Sequence, residues 1–212
     1  MNMSSLFNFK KIAVIVAHPD DETLWCGGLI LMNPQCDWTI ICLCRGNDLD
    51  RAPKFSAALT LYGATGAMGN LDDGPEQKTI TQNHIKKDLR LLLPPVYFDL
   101  IITHSPAGEY TRHKRHEEIG RTVSDSWEQN ILNAGELWLF AYEDHNTTGY
   151  PRAIQHADRI VELSEPIRLK KYKMITRTYG FSKESFEAMT TPKREAFWCF
   201  KKGEKNESIG FI

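Results

Sequence analysis

Short apolar segments alternate with longer amphipathic segments along most of this chain, and this alternation constrains the fold more than any other feature. Residues 11–17, 38–44 and 98–103 are apolar runs rich in β-branched side chains, which is typical of strands buried on both faces. Because helical periodicity follows each of them, the sequence predicts a mostly parallel sheet with helices on both faces. This is an open, Rossmann-like α/β fold.

The remaining elements follow from the same pattern and from Gly and Pro at segment ends. Further strands are predicted over residues 136–142 and 157–163, and Ser164 is expected to cap a helix that continues to about residue 179. The other helices are predicted over residues 22–32, 52–62, 79–93 and 115–132. The chain has 212 residues and contains no linker or internal repeat. A single domain over residues 1–212 is therefore expected.

The charge balance bears on the class of partner. Twenty-six basic residues against 27 acidic residues give a formal charge of −1, whereas a nucleic-acid surface normally needs a clear basic excess. One basic cluster, at Lys170, Lys171, Lys173 and Arg177, has the spacing of the solvated side of a helix. No nucleic-acid partner is expected.

Cysteine usage and hydropathy bear on the compartment. The five cysteines are odd in number and form no CxxC pair, which favours free, mostly buried thiols. No segment has about 18 consecutive apolar residues, so no membrane span is expected. The sequence predicts a cytoplasmic protein. It leaves open a homo-oligomer, and Trp127, Trp138 and Trp198 are compatible with either a core or an interface.

Polar clusters stand where the predicted strands end, which is the edge at which open α/β sheets bind ligands. The first is His18-Pro19-Asp20-Asp21-Glu22, with Glu22 expected only to begin the following helix. Adjacent carboxylates repel each other unless a cation or hydrogen-bond donors hold them, so a divalent metal would suit this turn. The alternative is that Asp20 or Asp21 merely caps the helix. Further polar clusters follow later strands, at residues 45–48, 104–105 and 143–145.

A second histidine segment lies about a hundred residues after the first. His113 and His116 are three residues apart, so at a helix start they share one face. Alternatively, they are only surface residues at a charged helix end. Catalytic zinc commonly has three His or carboxylate ligands and one open position. His18, Asp21 and His116 would supply such a set, which leaves Asp20 placed to accept a proton from water.

These motifs resemble those of the PIG-L/LmbE family of zinc-dependent N-deacetylases, whose signature is similar to Ala17-His18-Pro19-Asp20-Asp21-Glu22. The similarity extends across most of the chain. The matching positions are Arg51, Leu59, Gly63, the segment 72–74, the segment 108–110, His113, His116, Lys171, Tyr179, Glu195 and Phe197. One difference is that many members have His-Pro-x-His where this chain has His113-Lys114-Arg115-His116.

The resemblance implies removal of an acyl group from an N-acetylglucosamine-type compound, with zinc, or another divalent ion such as Fe²⁺, as the cofactor. It implies His18, Asp21 and His116 as metal ligands, Asp20 as general base, and His113 as a group that stabilises the oxyanion. Candidate substrate-binding residues are Arg45, Arg51, Asp73, Tyr110 and Glu143.

Other functions are compatible with the same fold class. A nucleotide-binding module needs a Gly-rich turn after the first strand, whereas here that turn is acidic and Gly27-Gly28 comes inside the helix. Two alternatives stay open. One is a non-catalytic metal-binding or partner protein that keeps the deacetylase fold, and the other is a zinc hydrolase that acts on a different amide.

Overall fold

A computed structural model describes residues 8–109, 113–143 and 149–204 of the chain. The described strands are β1 (Lys11–Val16), β2 (Asp37–Cys44), β3 (Thr65–Leu71), β4 (Phe98–Thr103), β5 (Ala134–Phe140), β6 (Tyr142–Glu143), β7 (Arg152–Ala153), β8 (Arg159–Glu162) and β9 (Arg194–Lys201). Seven of them form one sheet in the order β3-β2-β1-β4-β5-β9-β8, and β6 pairs with β7 separately. Strands β1 to β5 are parallel to one another, whereas β9 runs antiparallel to both β5 and β8.

Helices cover both faces of the sheet. They are α1 (Asp21–Met32), α2 (Arg51–Tyr62), α3 (Gln82–Leu92), α4 (Lys114–Glu128), α5 (Glu165–Lys173) with a π-helical turn (Met174–Thr178), and α6 (Phe186–Thr190). Alternate residues of β1 face opposite sides: Val14 packs with side chains of α1 and α2, and Ile15 packs with side chains of α3 and α4. The predicted α/β class, with a mostly parallel sheet between helices, is confirmed.

Two strands of the seven-stranded sheet, β3 and β9, were not predicted, and neither was the short strand β7 of the separate pair. Strand β3 contains Gly66 and Gly69, and only two of its seven residues are buried, so its sequence lacks the apolar run that marks a buried strand. Strand β9 is the antiparallel one, and it carries Phe197 and the half-buried Trp198. Trp127 and Trp138 lie in the core.

Helix ends also differ from the predictions. Helix α3 begins at Gln82 because Thr81 caps it, with its side chain accepting from the His84 backbone N–H. Helix α4 ends at Glu128, four residues early, and Asn130 follows with a positive φ of 57°.

A buried ion pair joins the C-terminal part of the chain to α1. The Lys171 ammonium lies 2.5 Å from Glu195 Oε1, and both side chains are fully buried. The Glu195 carboxylate also accepts the backbone N–H groups of Gly28 and Leu29, both at 2.7 Å. A Cβ on Gly28 would lie 2.4 Å from a Leu163 methyl carbon and 3.0 Å from Glu195 Oε1, so a larger residue at this position would have to displace the Leu163 side chain. The prediction that Lys171 lies on a solvated helix face was therefore wrong.

Among the described residues, no helix combines the length and apolar character that crossing a bilayer requires. All five cysteines lie in the described part, and none of them forms a disulfide.

Candidate metal centre

The turn after β1 places an unusual backbone conformation next to the predicted ligands. The N–H of Asp21 donates to the His18 carbonyl at 3.2 Å, which closes a turn through Pro19. Asp20 then adopts φ 134° and ψ −25°, a strained region for a residue with a Cβ. The Asp20 side chain makes no capping hydrogen bond to α1. Helix capping therefore does not account for this carboxylate.

Three donor atoms from the turn and from α4 lie close together. His18 Nδ1 is 3.2 Å from Asp21 Oδ2 and 3.1 Å from His116 Nε2, and His116 Nε2 is 3.3 Å from Asp21 Oδ2. Donors about 2.0–2.2 Å from a tetrahedral zinc ion are spaced by roughly 3.3 Å or slightly more. The triangle formed by His18, Asp21 and His116 therefore has nearly the size that a tetrahedral cation needs.

Two other residues lie within reach of this triangle. His113 can join His18 and His116 as a third donor, and His104 can join Asp21 and His116, with donor atoms within 4.8 Å of one another. His104 is poorly suited to bind a metal, because its Nε2 already accepts the Ala17 backbone N–H at 3.0 Å. In the sequence, His104 stands out only as a polar residue at a strand end.

The second ring nitrogen of each histidine in the triangle faces a carboxylate. His18 Nε2 lies 3.1 Å from Asp73 Oδ1, and His116 Nδ1 lies 2.6 Å from Glu109 Oε2. A carboxylate only accepts hydrogen bonds, so it favours a proton on the nitrogen that faces it and leaves the other nitrogen free to bind a cation. In the sequence, Glu109 is only one member of the matching segment 108–110 and has no role of its own.

His113 stacks on His116, with ring centroids 4.1 Å apart and planes 20° apart. Burial, together with the neighbouring His116 and His18, lowers the pKa of His113 to about 4. This imidazole is therefore neutral near pH 7. Its Nδ1 is buried without a hydrogen-bond partner among the described residues, which leaves a polar atom available beside the donor triangle.

Asp20 lies between other charged groups. Its Oδ2 is 3.2 Å from Arg51 Nη1, whose guanidinium also stacks over the Phe181 ring at 4.6 Å. Burial raises the pKa of the Asp20 carboxyl, and the negative charges of Asp21 and Glu22 raise it further. A carboxylate whose pKa is raised accepts protons more readily, which suits a general base.

Glu22 does more than begin the helix, so that expectation was wrong. It is fully buried, and its Oε2 accepts the Asp20 backbone N–H at 3.1 Å. The Tyr179 hydroxyl donates to Glu22 Oε1 at 2.6 Å, and the Thr23 hydroxyl donates to the same atom at 2.5 Å. Glu22 therefore holds the backbone of Asp20 in its strained conformation.

Lys114 and Arg115, which stand between His113 and His116, connect the start of α4 to the loop after β3 through hydrogen bonds. Lys114 Nζ donates to the Gln77 carbonyl at 2.6 Å. The fully buried Arg115 donates to the carbonyls of Asp72 and Lys78 and pairs with Glu118. The loop that carries Asp73 is thus held in place by the two residues that stand where His-Pro-x-His segments have Pro and the residue after it.

The predicted substrate residues are divided between two clefts. Arg45, Arg51 and Asp73 line a cleft of about 200 Å³ with His18, Asp20, Asp21, His113 and His116. The Asp73 carboxylate is already engaged, since Arg45 Nη2 lies 2.8 Å from its Oδ2 and His18 contacts its other oxygen. Glu143 lines a different cleft, of about 590 Å³. Tyr110 lies outside the described residues.

Metal binding near pH 7 is expected to release protons. Burial opposes protonation of His18, but hydrogen bonds to Asp21 and Asp73 outweigh it and raise its pKa to about 9. A cation must displace that proton, so zinc affinity should rise with pH up to about 9, roughly tenfold per unit for one proton. Calorimetry in two buffers with different protonation enthalpies measures the release. The Asp73→Asn variant should release less, and equal heats in both buffers would contradict this expectation.

Comparisons with known proteins bear on the family and the fold of this chain. The family model described as PIG-L, GlcNAc-PI de-N-acetylase, matches residues 13–127. The uncharacterized protein L374 of Acanthamoeba polyphaga mimivirus is 24% identical over 178 residues, which cover 76% of this chain and 75% of that protein.

Solved structures resemble the whole fold. The N,N'-diacetylchitobiose deacetylase of Pyrococcus horikoshii superposes with a TM-score of 0.70 at 18% identity, covering 97% of this chain and 90% of that one. The 4-carboxy-2-hydroxymuconate hydratase of Pseudomonas putida KT2440 has a TM-score of 0.60 at 15% identity, covering 93% of this chain and 100% of the other. At such identities the likeness concerns the fold alone.

Proposed function

Since this chain belongs to the GlcNAc-PI de-N-acetylase (PIG-L) family, we propose that it is a metal-dependent hydrolase. In this proposal it removes the N-acetyl group from an N-acetylglucosamine-type sugar or glycoconjugate. The observation that carries the proposal is the triangle of His18, Asp21 and His116 donors, 3.1–3.3 Å apart, in the same cleft as Asp20.

The two imidazole nitrogens and one carboxylate oxygen of the triangle would hold the cation. Such a set occurs in catalytic zinc sites, and it also suits Fe²⁺. When bound, a divalent cation of this kind supplies Lewis acidity, which lowers the pKa of water towards neutrality and polarises an amide carbonyl. Burial contributes as well, because His116 and Asp21 are almost completely shielded from solvent. Electrostatic interactions are stronger in such surroundings than in water.

Asp20 is the general base. Its carboxylate accepts a proton from water as the water oxygen attacks the acetyl carbon, and it returns that proton to the nitrogen as the C–N bond breaks. The products are acetate and a free amine. The contact with Arg51 Nη1 and the bond from the Asp20 N–H to Glu22 hold the base in place.

Neutral His113 donates a hydrogen bond to the oxygen of the former carbonyl as negative charge develops there, an effect typically worth about 3 kcal/mol. Arg45 and Arg51 lie on the same cleft and are partly exposed. Their guanidinium groups are suited to bind sugar hydroxyl groups. Asp73 contributes by fixing His18 and Arg45, and it accepts from sugar hydroxyl groups only where those two contacts leave room.

Release of acetate distinguishes this function from the alternatives. With zinc present, the protein is expected to release acetate from at least one member of a panel of N-acetylglucosamine derivatives, and a chelator should abolish the release. Acetate and free amine are measured together, since hydrolysis yields them in equal amounts. The panel includes N-acetylated amines without a sugar. Activity only on these would support a different amide hydrolase, and zinc binding without acetate release from any compound would support a non-catalytic protein.

A further inference from the structure

Glu109 is a fully buried carboxylate held between two imidazole rings. Its Oε2 lies 2.6 Å from His116 Nδ1, and its Oε1 lies 3.1 Å from His104 Nδ1. Oε1 also accepts the Ser105 backbone N–H at 3.1 Å. The carboxylate is thus hydrogen-bonded to His116 and to the Ser105 N–H and faces the His104 ring. The catalytic mechanism proposed above gives it no direct role.

These contacts determine which nitrogen of His116 carries the proton. Because an ionised carboxylate can only accept, the 2.6 Å contact requires a proton on His116 Nδ1. The lone pair on Nε2 is then free, and that atom is the one 3.1 Å from His18 Nδ1 and 3.3 Å from Asp21 Oδ2. An imidazole binds a metal ion through such an unprotonated nitrogen.

His104 reinforces the same arrangement. Its Nε2 accepts the Ala17 N–H, so its own proton is on Nδ1, on the side of Glu109. Its ring stacks on His116, with centroids 3.9 Å apart and planes 21° apart. His104 therefore connects Glu109 to the residue just before His18 and fixes the plane of the His116 ring.

We propose that Glu109 is a positioning residue that holds His116 in the Nδ1–H tautomer and directs its Nε2 towards the cation. This proposal rests on the metal site proposed above, but it does not depend on the reaction that the site performs. A carboxylate behind a metal-binding histidine typically changes metal affinity by 10- to 100-fold.

Glu109→Gln is the first test, measured as zinc affinity by competition with a fluorescent chelator. If the amide oxygen accepts from His116, its NH₂ group faces the protonated Nδ1 of His104 and the Ser105 N–H, which sets donor against donor. We expect zinc affinity to fall by roughly 10- to 100-fold. Glu109→Asp keeps the negative charge, but its side chain is shorter by one methylene group, so the carboxylate lies farther from His116. This variant should therefore also weaken zinc binding. An affinity within about twofold of wild type in either folded variant would overturn the proposal.

Glu195→Gln is the matched control, because Glu195 is also a fully buried glutamate, and among the described residues its hydrogen bonds go to Gly28, Leu29 and Lys171 and not to a histidine. Thermal unfolding of the metal-free proteins measures the loss of stability in each variant. Glu195→Gln should lose stability and keep zinc affinity. If it weakened zinc binding as much as Glu109→Gln did, a general loss of stability would explain both results and the proposal would fail.

The tautomer is observable in the wild-type protein without any substitution. In zinc-loaded protein, ¹⁵N NMR should show His116 with a protonated Nδ1 and zinc bound through Nε2. Zinc bound through Nδ1 would overturn the proposal. If Glu109→Gln weakened zinc binding while the wild type released no acetate, the proposed function would fail and the positioning role would stand. If the wild type released acetate and the variant kept its zinc affinity, the function would stand and the positioning role would fail.

Discussion

His116→Ala is expected to remove bound zinc and with it all measurable acetate release. His116 Nε2 is the one atom from α4 in the donor triangle, and the other two donors come from the turn after β1. Without it, only His18 and Asp21 of the triangle remain as donors, and no donor of the triangle comes from α4. Glu109 also loses the imidazole that lies 2.6 Å from its Oε2. The loss of zinc affinity should exceed the roughly 10- to 100-fold typical of a residue behind a ligand.

Zinc content after dialysis and the rate of acetate release measure this effect. His84→Ala is the control, since His84 is an exposed histidine of α3 that does not line the cleft of the triangle. It should keep both zinc and activity. If His116→Ala kept zinc at the wild-type affinity, His116 would not be a ligand. The alternative donor set of His18, His113 and His116 would then be ruled out as well, because it also contains His116.

Much of the fold was predictable because buried parallel strands have a strong signature in the sequence. Strands β1, β2 and β4 are apolar on both faces, and their ends place the polar clusters on one edge of the sheet. Strand β3 was not predicted, because it is an edge strand with two glycines and lacks the continuous apolar run of a buried strand. The π-helical turn after α5 is likewise hard to distinguish from a continuous helix, since a single wider turn leaves the apolar spacing nearly unchanged.

The candidate site was predictable where one segment carries several chemical groups. The turn at His18, Asp20 and Asp21 is such a segment, and His116 was found through its spacing from His113. Glu109 and His104 were missed because their role depends on packing between a strand end and a helix. Nothing in their local sequence distinguishes them from ordinary polar residues.

Charge burial was the other property that the sequence did not reveal. Lys171, Glu195, Glu22 and Arg115 are all fully buried, although charged residues usually lie at the surface. Each has a specific partner, namely the opposite member of the Lys171–Glu195 pair, the Tyr179 hydroxyl for Glu22, and backbone carbonyls for Arg115. Only the three-dimensional structure brings these partners together, since Tyr179 is 157 residues from Glu22.

Asp20→Asn is expected to lose turnover while zinc stays bound. The amide has nearly the same shape as the carboxylate, and asparagine tolerates positive φ better than most residues, so the strained turn should persist. An amide cannot accept the proton of the attacking water, and a general base typically contributes about 10²- to 10⁴-fold in rate. We expect kcat to fall by that factor with zinc affinity nearly unchanged, since none of the close contacts of the triangle involves Asp20.

Asp21→Asn is the matched comparison, because the same substitution one residue later removes the charge of a proposed ligand. Asp21 Oδ2 lies 3.2 Å from His18 Nδ1 and 3.3 Å from His116 Nε2, so this variant should lose zinc and turnover together. Zinc titration and acetate release on both variants separate the two roles of these adjacent carboxylates. Near-normal acetate release by Asp20→Asn would show that another group takes the proton. Loss of zinc from Asp20→Asn would instead make Asp20 a ligand, and the cation would then be held at the turn by both carboxylates.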